Sequence, residues 1–208
     1  MTRTKQRSEP KRVRLTRPER HELIIDAGLR VFGDRGFRGA SMSDVAIDCG
    51  VAKGLLYEHY PSKEELYDAC VERQRAILFD RLILAVETSE SDPLRDFITE
   101  FFDFTEENRD RSWILYGEAS AAAANEMRRK NGEVVARLLS DVLGTALAGL
   151  SRERIDLLAN GLVGQGEHVA RWWLTANDVP KAEAVECHYA MAAGAIAFTL
   201  DRADKGSA

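Results

Sequence analysis

The sequence predicts an all-α fold, and three observations support this prediction. Apolar residues recur at helical spacing in every long segment, and no segment shows the period-two alternation of a half-buried strand. Capping boxes open at Thr16, Ser41 and Ser62, each with an acidic residue three positions later. Glycine or proline stands between the periodic segments, where helices end or begin.

Three short helices are predicted in the first third of the chain, followed by longer ones. The first ends among Gly33, Gly36 and Gly39, the second ends at Gly50, and the third covers residues 51–59. The longer helices are predicted at residues 62–87, from residue 93 onwards, and at 112–124, 125–150, 151–176 and 180–202.

Charge is distributed unevenly along the chain. Residues 1–63 carry 13 Lys and Arg against 8 Asp and Glu, whereas residues 64–208 carry 16 against 26. One basic end on an acidic molecule favours orientation towards a polyanion, and a solvated tail is the alternative explanation. Residues 1–15 are predicted to be a flexible basic arm.

Cysteine usage and hydropathy indicate where the protein works. Cys49, Cys70 and Cys187 are far apart and form no C-x-x-C pair, which argues for a reducing compartment and against a disulfide framework or a zinc site. No run of about 18 uncharged apolar residues and no signal-peptide pattern is present. We therefore expect a cytoplasmic protein with no membrane partner.

Residues 44–59 have the organisation of a helix-turn-helix. Asp44–Cys49 would form the bracing helix, Gly50 the turn, and Ala52–Tyr57 the second helix. In this motif the second helix enters the major groove of DNA with its N-terminal side chains at the base edges. The spacing lets Val45 and Leu56 pack inward, so that polar side chains of the second helix stay outside.

The stretch GFRGASMSDVAIDCGVAKGLLYEHYPSKEEL, which ends at Leu66, resembles the N-terminal domain of TetR-family regulators. The matching elements are the G-F-x-G-A-S turn, D-V-A-x-x-x-G-V-x-K-G, L-Y-x-H-Y and P-S-K-E-x-L. The resemblance covers about the first third in sequence and the rest in helix number and length. It implies a helix-turn-helix DNA-binding domain at residues 16–63 and a larger helical ligand-binding and dimerisation domain at 64–208.

The resemblance also implies which residues contact DNA. Tyr57, His59 and Lys63 match positions that contact phosphates, the lysine with help from the dipole of its helix. Leu55 stands where threonine or serine is frequent, so it can contact a base only through apolar surface. The remaining implied residues face bases or the DNA backbone, or permit close approach: Ser41, Met42, Ser43, Lys53 and Gly54.

Each of these assignments has a structural alternative. Leu55 can be a core residue, Tyr57 and His59 can cap or pack, and Lys63 can be a solvated charge at a helix start. In the basic segment, the arginines that are candidates for contacts in an adjacent groove are Arg12, Arg14 and Arg17.

The resemblance implies that the last two helices pair with those of a second copy. Small residues that permit close helix approach are present in both, although they can equally pack helices within one chain: Gly161, Gly164, Gly166, Ala190, Ala193, Gly194 and Ala197. Aromatic and polar residues of the same domain are candidates for an effector pocket, with ordinary core and dimer packing as the alternative. They are Phe101, Phe104, Trp113, Tyr116, Gln165, His168 and Trp172.

Together these features predict a dimeric, ligand-responsive repressor that binds a palindromic operator through residues 51–59 and is released by a small-molecule effector. A DNA-binding or architectural protein without a ligand is one alternative, and an all-helical enzyme or small-molecule carrier is another. His21-Glu22 lacks the second histidine of H-E-x-x-H, and no phosphate loop or G-x-S-x-G is present. We therefore predict no catalytic residues, no metal site and no cofactor.

Overall fold

The computed structural model describes residues 16–109, 133, 135–144, 147, 149–176 and 178–206. All regular secondary structure within these ranges is helical, which confirms the all-α prediction. None of the helices in this part of the chain is long and apolar enough to cross a membrane. The helices are α1 (Arg17–Gly39), α2 (Met42–Cys49), α3 (Lys53–His59), α4 (Lys63–Glu87), α5 (Pro93–Glu107), α6 (residues 135–144), α7 (Arg152–Thr175) and α8 (Lys181–Gly206).

Two of the predicted segments cannot be compared with the structure. The basic arm at residues 1–15 and the helix at residues 112–124 lie outside the described residues, and so do Trp113 and Tyr116.

Helix α1 begins at a complete capping box and bends at a glycine. The Thr16 hydroxyl accepts the Glu19 amide N–H at 3.4 Å, and the Glu19 carboxylate accepts the Thr16 amide N–H at 2.7 Å. The helix continues through Gly33 and breaks at Gly36, whose φ of 67° lies in the left-handed region that glycine adopts without strain. The short segment after the kink leads to the N-cap of α2.

Helices α1 to α4 enclose a first apolar core, in which Phe32 and Leu56 are almost fully buried. From α4 this core includes side chains as far as Val71. The domain boundary is predicted at Lys63, but the apolar packing of the first core continues into α4, because Leu66, Cys70 and Val71 are buried in it. The first half of α4 thus belongs with the helix-turn-helix.

The second half of α4 packs in a separate, larger core with α5, α6, α7 and α8. Leu78 and Leu82 of α4 are buried there, together with Phe102 of α5. Trp173 of α7 is 2% exposed, and its indole N–H donates to the Val179 carbonyl at 2.9 Å. This bond pairs the one polar atom of the largest buried side chain and fixes the turn between α7 and α8.

Helices α1 and α4 pack tightly against each other at Gly28. A β-carbon at this position would lie 2.7 Å from the Cys70 sulfur and 3.5 Å from Leu66 Cδ1. The Cys70 thiol is fully buried and donates to the Ile25 carbonyl at 3.7 Å, and burial raises its pKa to about 12. The glycine is therefore needed to admit the sulfur atom between the two helices.

We expect Gly28→Ala to lower the free energy of unfolding by about 1–3 kcal/mol, because the added methyl overlaps the sulfur. This cost outweighs the roughly 1 kcal/mol that alanine gains over glycine in a helix interior. Urea unfolding of the single variants and of Gly28→Ala/Cys70→Ala tests the contact. The alanine at 28 should cost clearly less when the sulfur is absent, and strictly additive costs would contradict the steric explanation.

Candidate functional site

The turn between α2 and α3 is fixed by local hydrogen bonds. The Ser41 hydroxyl and amide contact the Asp44 carboxylate at 2.6 Å and 3.0 Å, which completes the capping box of α2. The hydrogen bond from Ser41 and the nearby Arg35 guanidinium hold the pKa of Asp44 below its usual value. Gly50 ends α2 with a φ of 67°, and the Val51 amide N–H then donates to the Ala46 carbonyl at 3.1 Å. Together these bonds set the angle at which α3 leaves α2.

Helix α3 is held by one buried residue and exposes most of the others. Leu56 is 0% exposed, whereas Lys53 and Gly54 are exposed and Tyr57 is 42% exposed. The sequence predicts a helix that begins at Val51, but α3 begins at Lys53. Ala52 has an extended backbone and serves as the N-cap, without a side-chain hydrogen bond. A short helix with a free outer face follows from this arrangement.

The outer face of α3 carries a cationic side chain, an aromatic ring and, between them, a glycine without a side chain. Lys53 Nζ lies 5.9 Å from the centroid of the Tyr57 ring, a cation–π distance at which the two side chains cover neighbouring surface. Apart from its chain neighbours and the backbone of its own helix, no atom lies within 4 Å of the position that a β-carbon on Gly54 would take, so the backbone is open to approach between them. Leu55, beside this face, is half-buried.

Two predicted residues of α2 are placed differently from their assigned roles. The Met42 side chain is 5% exposed and lies in the first core, so only its backbone can reach a bound molecule. The Ser41 hydroxyl already serves the capping box. Ser43, the residue after Met42, is half-buried. The start of α2 therefore offers mainly backbone to a ligand.

A cluster that the sequence analysis missed lies at the end of α3. The Tyr60 hydroxyl lies 3.0 Å from His21 Nδ1, which joins the end of α3 to the first turns of α1. Burial of the His59 ring, then the charges of Arg17 and Arg20, lower the pKa of His59. A basic border beside the outer face of α3 is thus formed by Arg17, Arg20, His21 and His59. Tyr60 and His21 are 39 residues apart in the sequence, so no local pattern reveals that they are in contact.

Lys63 does not stand free at the start of α4. Its ammonium donates to the Phe37 carbonyl at 2.8 Å and to the Ala40 carbonyl at 3.1 Å, and it lies 4.3 Å from the centroid of the Phe37 ring. The Lys63 side chain thus joins α4 to the end of α1 and to the residue that follows it. Two of the three ammonium N–H groups thus have partners within the protein, and the assignment of Lys63 as a phosphate contact stays a prediction.

A cavity of about 60 Å³ lies in the second domain between α4, α5, α6, α7 and α8. Phe97 and Phe101 of α5 line it, and most of the wall is apolar. The polar side chains of the wall are Arg75, Glu167 and His188. The arrangement suits a largely apolar molecule with few polar groups.

The predicted effector residues divide between this cavity and other places. Phe101 lines the cavity, whereas Phe104 is 1% exposed and packs in the core. His168 and Trp172 are exposed, because their face of α7 is opposite the one that carries Gly166. Gln165 donates to the sulfur of Met191 at 2.9 Å and so contacts α8.

One continuous face of α7 and α8 is exposed and partly apolar; we call it the α7–α8 face. On α7 it follows Leu157, Gly161, Gly164 and Trp172 at helical spacing, and Leu157 is 76% and Trp172 57% exposed. On α8 it follows the exposed residues Cys187, Met191, Gly194 and Phe198. A β-carbon at any of these three glycines would meet nothing within 4 Å.

Among the described residues, no group of three or more His, Cys, Asp or Glu side chains is placed to hold a metal ion. Cys187 is exposed and the adjacent His188 is buried, so neighbours along the helix point apart.

The comparisons with known proteins agree with this architecture. Residues 24–70 match the family model for bacterial regulatory proteins of the tetR family, and residues 91–192 match that for the tetracyclin repressor-like C-terminal domain. The chain is 34% identical over 182 residues to the HTH-type transcriptional activator FasR of Mycolicibacterium smegmatis, covering 83% of this chain and 81% of that protein. It is 26% identical over 123 residues to IcaR, the negative regulator of a biofilm operon in Staphylococcus epidermidis, covering 59% and 66%.

Solved structures show the same fold. A TetR-like transcriptional regulator from Rhodococcus sp. RHA1 is 28% identical, with a TM-score of 0.72 and coverage of 88% of this chain and 99% of that one. A tetR-family regulator from Streptomyces coelicolor has a TM-score of 0.72 at 19% identity, covering 90% and 85%.

The chain combines a small helix-turn-helix domain with a larger helical domain that contains an apolar cavity, and one long helix joins the two. This combination places the chain in the class of DNA-binding transcription regulators. The chain belongs to the TetR family of these regulators, since the two family models together match well over half of it.

The positions of two lysines give opposite expectations. We expect Lys63→Gln to cost about 1–3 kcal/mol of unfolding free energy, because it leaves two inward carbonyls without their charged donor. Its effect on the salt dependence of DNA binding should be small. The matched variant Lys53→Gln changes an exposed side chain and should leave stability unchanged, while lowering the salt slope by about one unit.

Urea unfolding and DNA titrations at several salt concentrations measure both quantities for both variants. The reverse pattern, with a reduced salt slope for the position 63 variant and no loss of stability, would support Lys63 as a phosphate contact.

Proposed function

We propose that the chain is a dimeric, ligand-responsive regulator that reads a palindromic operator with α3. The observation that carries this proposal is the outer face of α3: Lys53, Gly54 and Tyr57 are exposed on a helix held from behind by Leu56. A helix presented in this way across a glycine turn can lie in a major groove, about 12 Å wide.

The roles of individual residues follow from their placement. Lys53 lies in the first turn of α3, where side chains reach base edges, and Leu55 and Ser43 border it. The Tyr57 hydroxyl can donate to a phosphate. The basic border with Arg17 and Arg20 extends the positive surface past His59 and suits a further phosphate. Lys63 and Met42 would support these contacts from behind rather than make them.

Dimerisation through the α7–α8 face would place the α3 helices of the two copies on one side of DNA. The exposed Leu157, Trp172 and Phe198 supply apolar surface, and the open glycines let backbones approach. Contiguous apolar surface of this kind marks an interface. A twofold axis through this face would match an operator with two half-sites about 34 Å apart.

The effector would act through α4. Arg75 and Leu78 of α4 line the cavity, and Val71, one turn before Arg75, is buried in the DNA-binding core. A molecule in the cavity that shifts α4 would therefore change the position of α3 in both copies of the dimer. A coupling of about 1–3 kcal/mol between the two sites is typical of allosteric proteins.

The direction of regulation remains a prediction. A repressor is expected from the sequence, while one relative is named an activator and another a negative regulator. A regulator without an effector is the second candidate function, and the apolar cavity with its polar side chains argues against it.

Selection of random DNA duplexes by the purified protein tests operator binding. We expect an enriched palindrome whose half-sites are about one helical turn, ~34 Å, apart. Salt-sensitive binding without an enriched sequence would indicate an architectural protein instead, and no binding by a folded protein would refute the proposal.

Trp172→Glu is the matched test of the dimer in the same selection, with Leu84→Glu as the control. Leu84 is 58% exposed on α4, away from the α7–α8 face. The first variant should enrich single half-sites and the second the full palindrome.

Gly54→Ala separates stability from DNA binding. Alanine should stabilise the short helix by about 0.5–1 kcal/mol, because it is the better helix former and the methyl meets no other atom. Operator affinity should fall at least tenfold, because the methyl would keep the helix from the groove. Urea unfolding and operator titration on one preparation give both values. Unchanged affinity would mean that the α3 backbone at this point does not approach DNA.

A further inference from the structure

The cavity wall contains a buried polar atom that nothing in the described residues satisfies. His188 is 5% exposed, and its Nδ1 has no hydrogen-bond partner there. The ring lies beside Phe102, with the two centroids 6.2 Å apart. A β-carbon on Gly166 would come within 3.0 Å of His188 Nε2, so the glycine in α7 provides the space that the imidazole occupies.

The charge state of this histidine restricts what it can bind. Burial lowers the pKa of His188, and no other cause acts on it, so the imidazole is neutral near pH 7. A neutral imidazole offers one N–H donor and one acceptor nitrogen. Buried polar atoms are nearly always paired, so an unpaired one in a cavity wall calls for a partner.

The other charged groups of the wall do not change this conclusion. Arg75 forms an ion pair with Glu72 on its own helix, which balances its charge, although its buried Nε lacks a partner. Glu167 adds a negative group on α7. An anionic ligand would therefore meet no uncompensated cation among the described lining residues, and it would lose its hydration on entry.

We propose that His188 is the polar anchor of the effector cavity and selects an apolar molecule with an uncharged hydroxyl or carbonyl group. The ligand's apolar part would lie against Phe97 and Phe101, while its polar group would pair with the imidazole of His188. This inference rests on the proposed effector function of the cavity.

Benzene, phenol and benzoate test the proposal, because they share one ring and differ only in the polar group. Their affinities for the full-length protein can be measured by calorimetric titration. We expect phenol to bind more tightly than benzene and benzoate to bind most weakly. In His188→Phe the ratio of phenol to benzene affinity should fall about tenfold, the effect of one hydrogen bond. Leu84→Phe, at a position of α4 that is 58% exposed and outside the cavity wall, is the control and should leave the ratio unchanged.

Nitrogen NMR of the wild-type imidazoles gives a second readout that does not depend on how the variant folds. Phenol, and not benzene, should shift the ring nitrogens of one buried histidine. If the ratio and the shifts are unaffected although all three probes bind, His188 is not the anchor, while the cavity remains a binding site. Tightest binding of benzoate would overturn the uncharged class of ligand. Failure of every probe to bind would overturn the effector cavity itself, and with it this inference.

Discussion

Both cores of the molecule share one helix, and most of the architecture depends on that sharing. Leu66, Cys70 and Val71 of α4 complete the core of the helix-turn-helix, and Leu78 and Leu82, further along, are buried in the second domain. A continuous helix does not bend easily between such points, because each hydrogen bond along it links neighbouring turns. The orientation of α3 is thus tied mechanically to side chains around the cavity.

The outer face of α3 is held in position mostly by contacts behind it. Leu56 holds α3 to the core, the Ser41–Asp44 box fixes the start of α2, and the Lys63 ammonium fastens α4 to carbonyls at the end of α1 and just after it. The outward groups, among them Lys53 and Tyr57, take no part in this packing. Substitution of an outward residue can therefore change recognition without loss of the fold, whereas the inward groups are constrained by packing.

The sequence predicts well what local interactions determine. The capping boxes at Thr16 and Ser41 and the turn at Gly50 involve residues within a few positions of each other, so their patterns are legible. The Lys63 contact with Phe37, 26 residues away, depends on how α1 and α4 pack and has no local signature. Spacing likewise groups His168 with Trp172 on one face of α7, but it does not tell which face turns inward, because glycines stand on both: Gly166 on the buried face and Gly161 on the exposed one.

The three thiols stand in three different surroundings. Cys70 is sealed in the first core with its pKa raised to about 12, Cys49 is half-buried with its pKa raised mainly by burial, and Cys187 is exposed on the α7–α8 face. Only a thiolate reacts readily with alkylating reagents, and access limits it further. The rate of alkylation at Cys187 in the native protein therefore reports how often the α7–α8 face is covered or exposed. The measurement uses a residue of the native sequence and needs no added label.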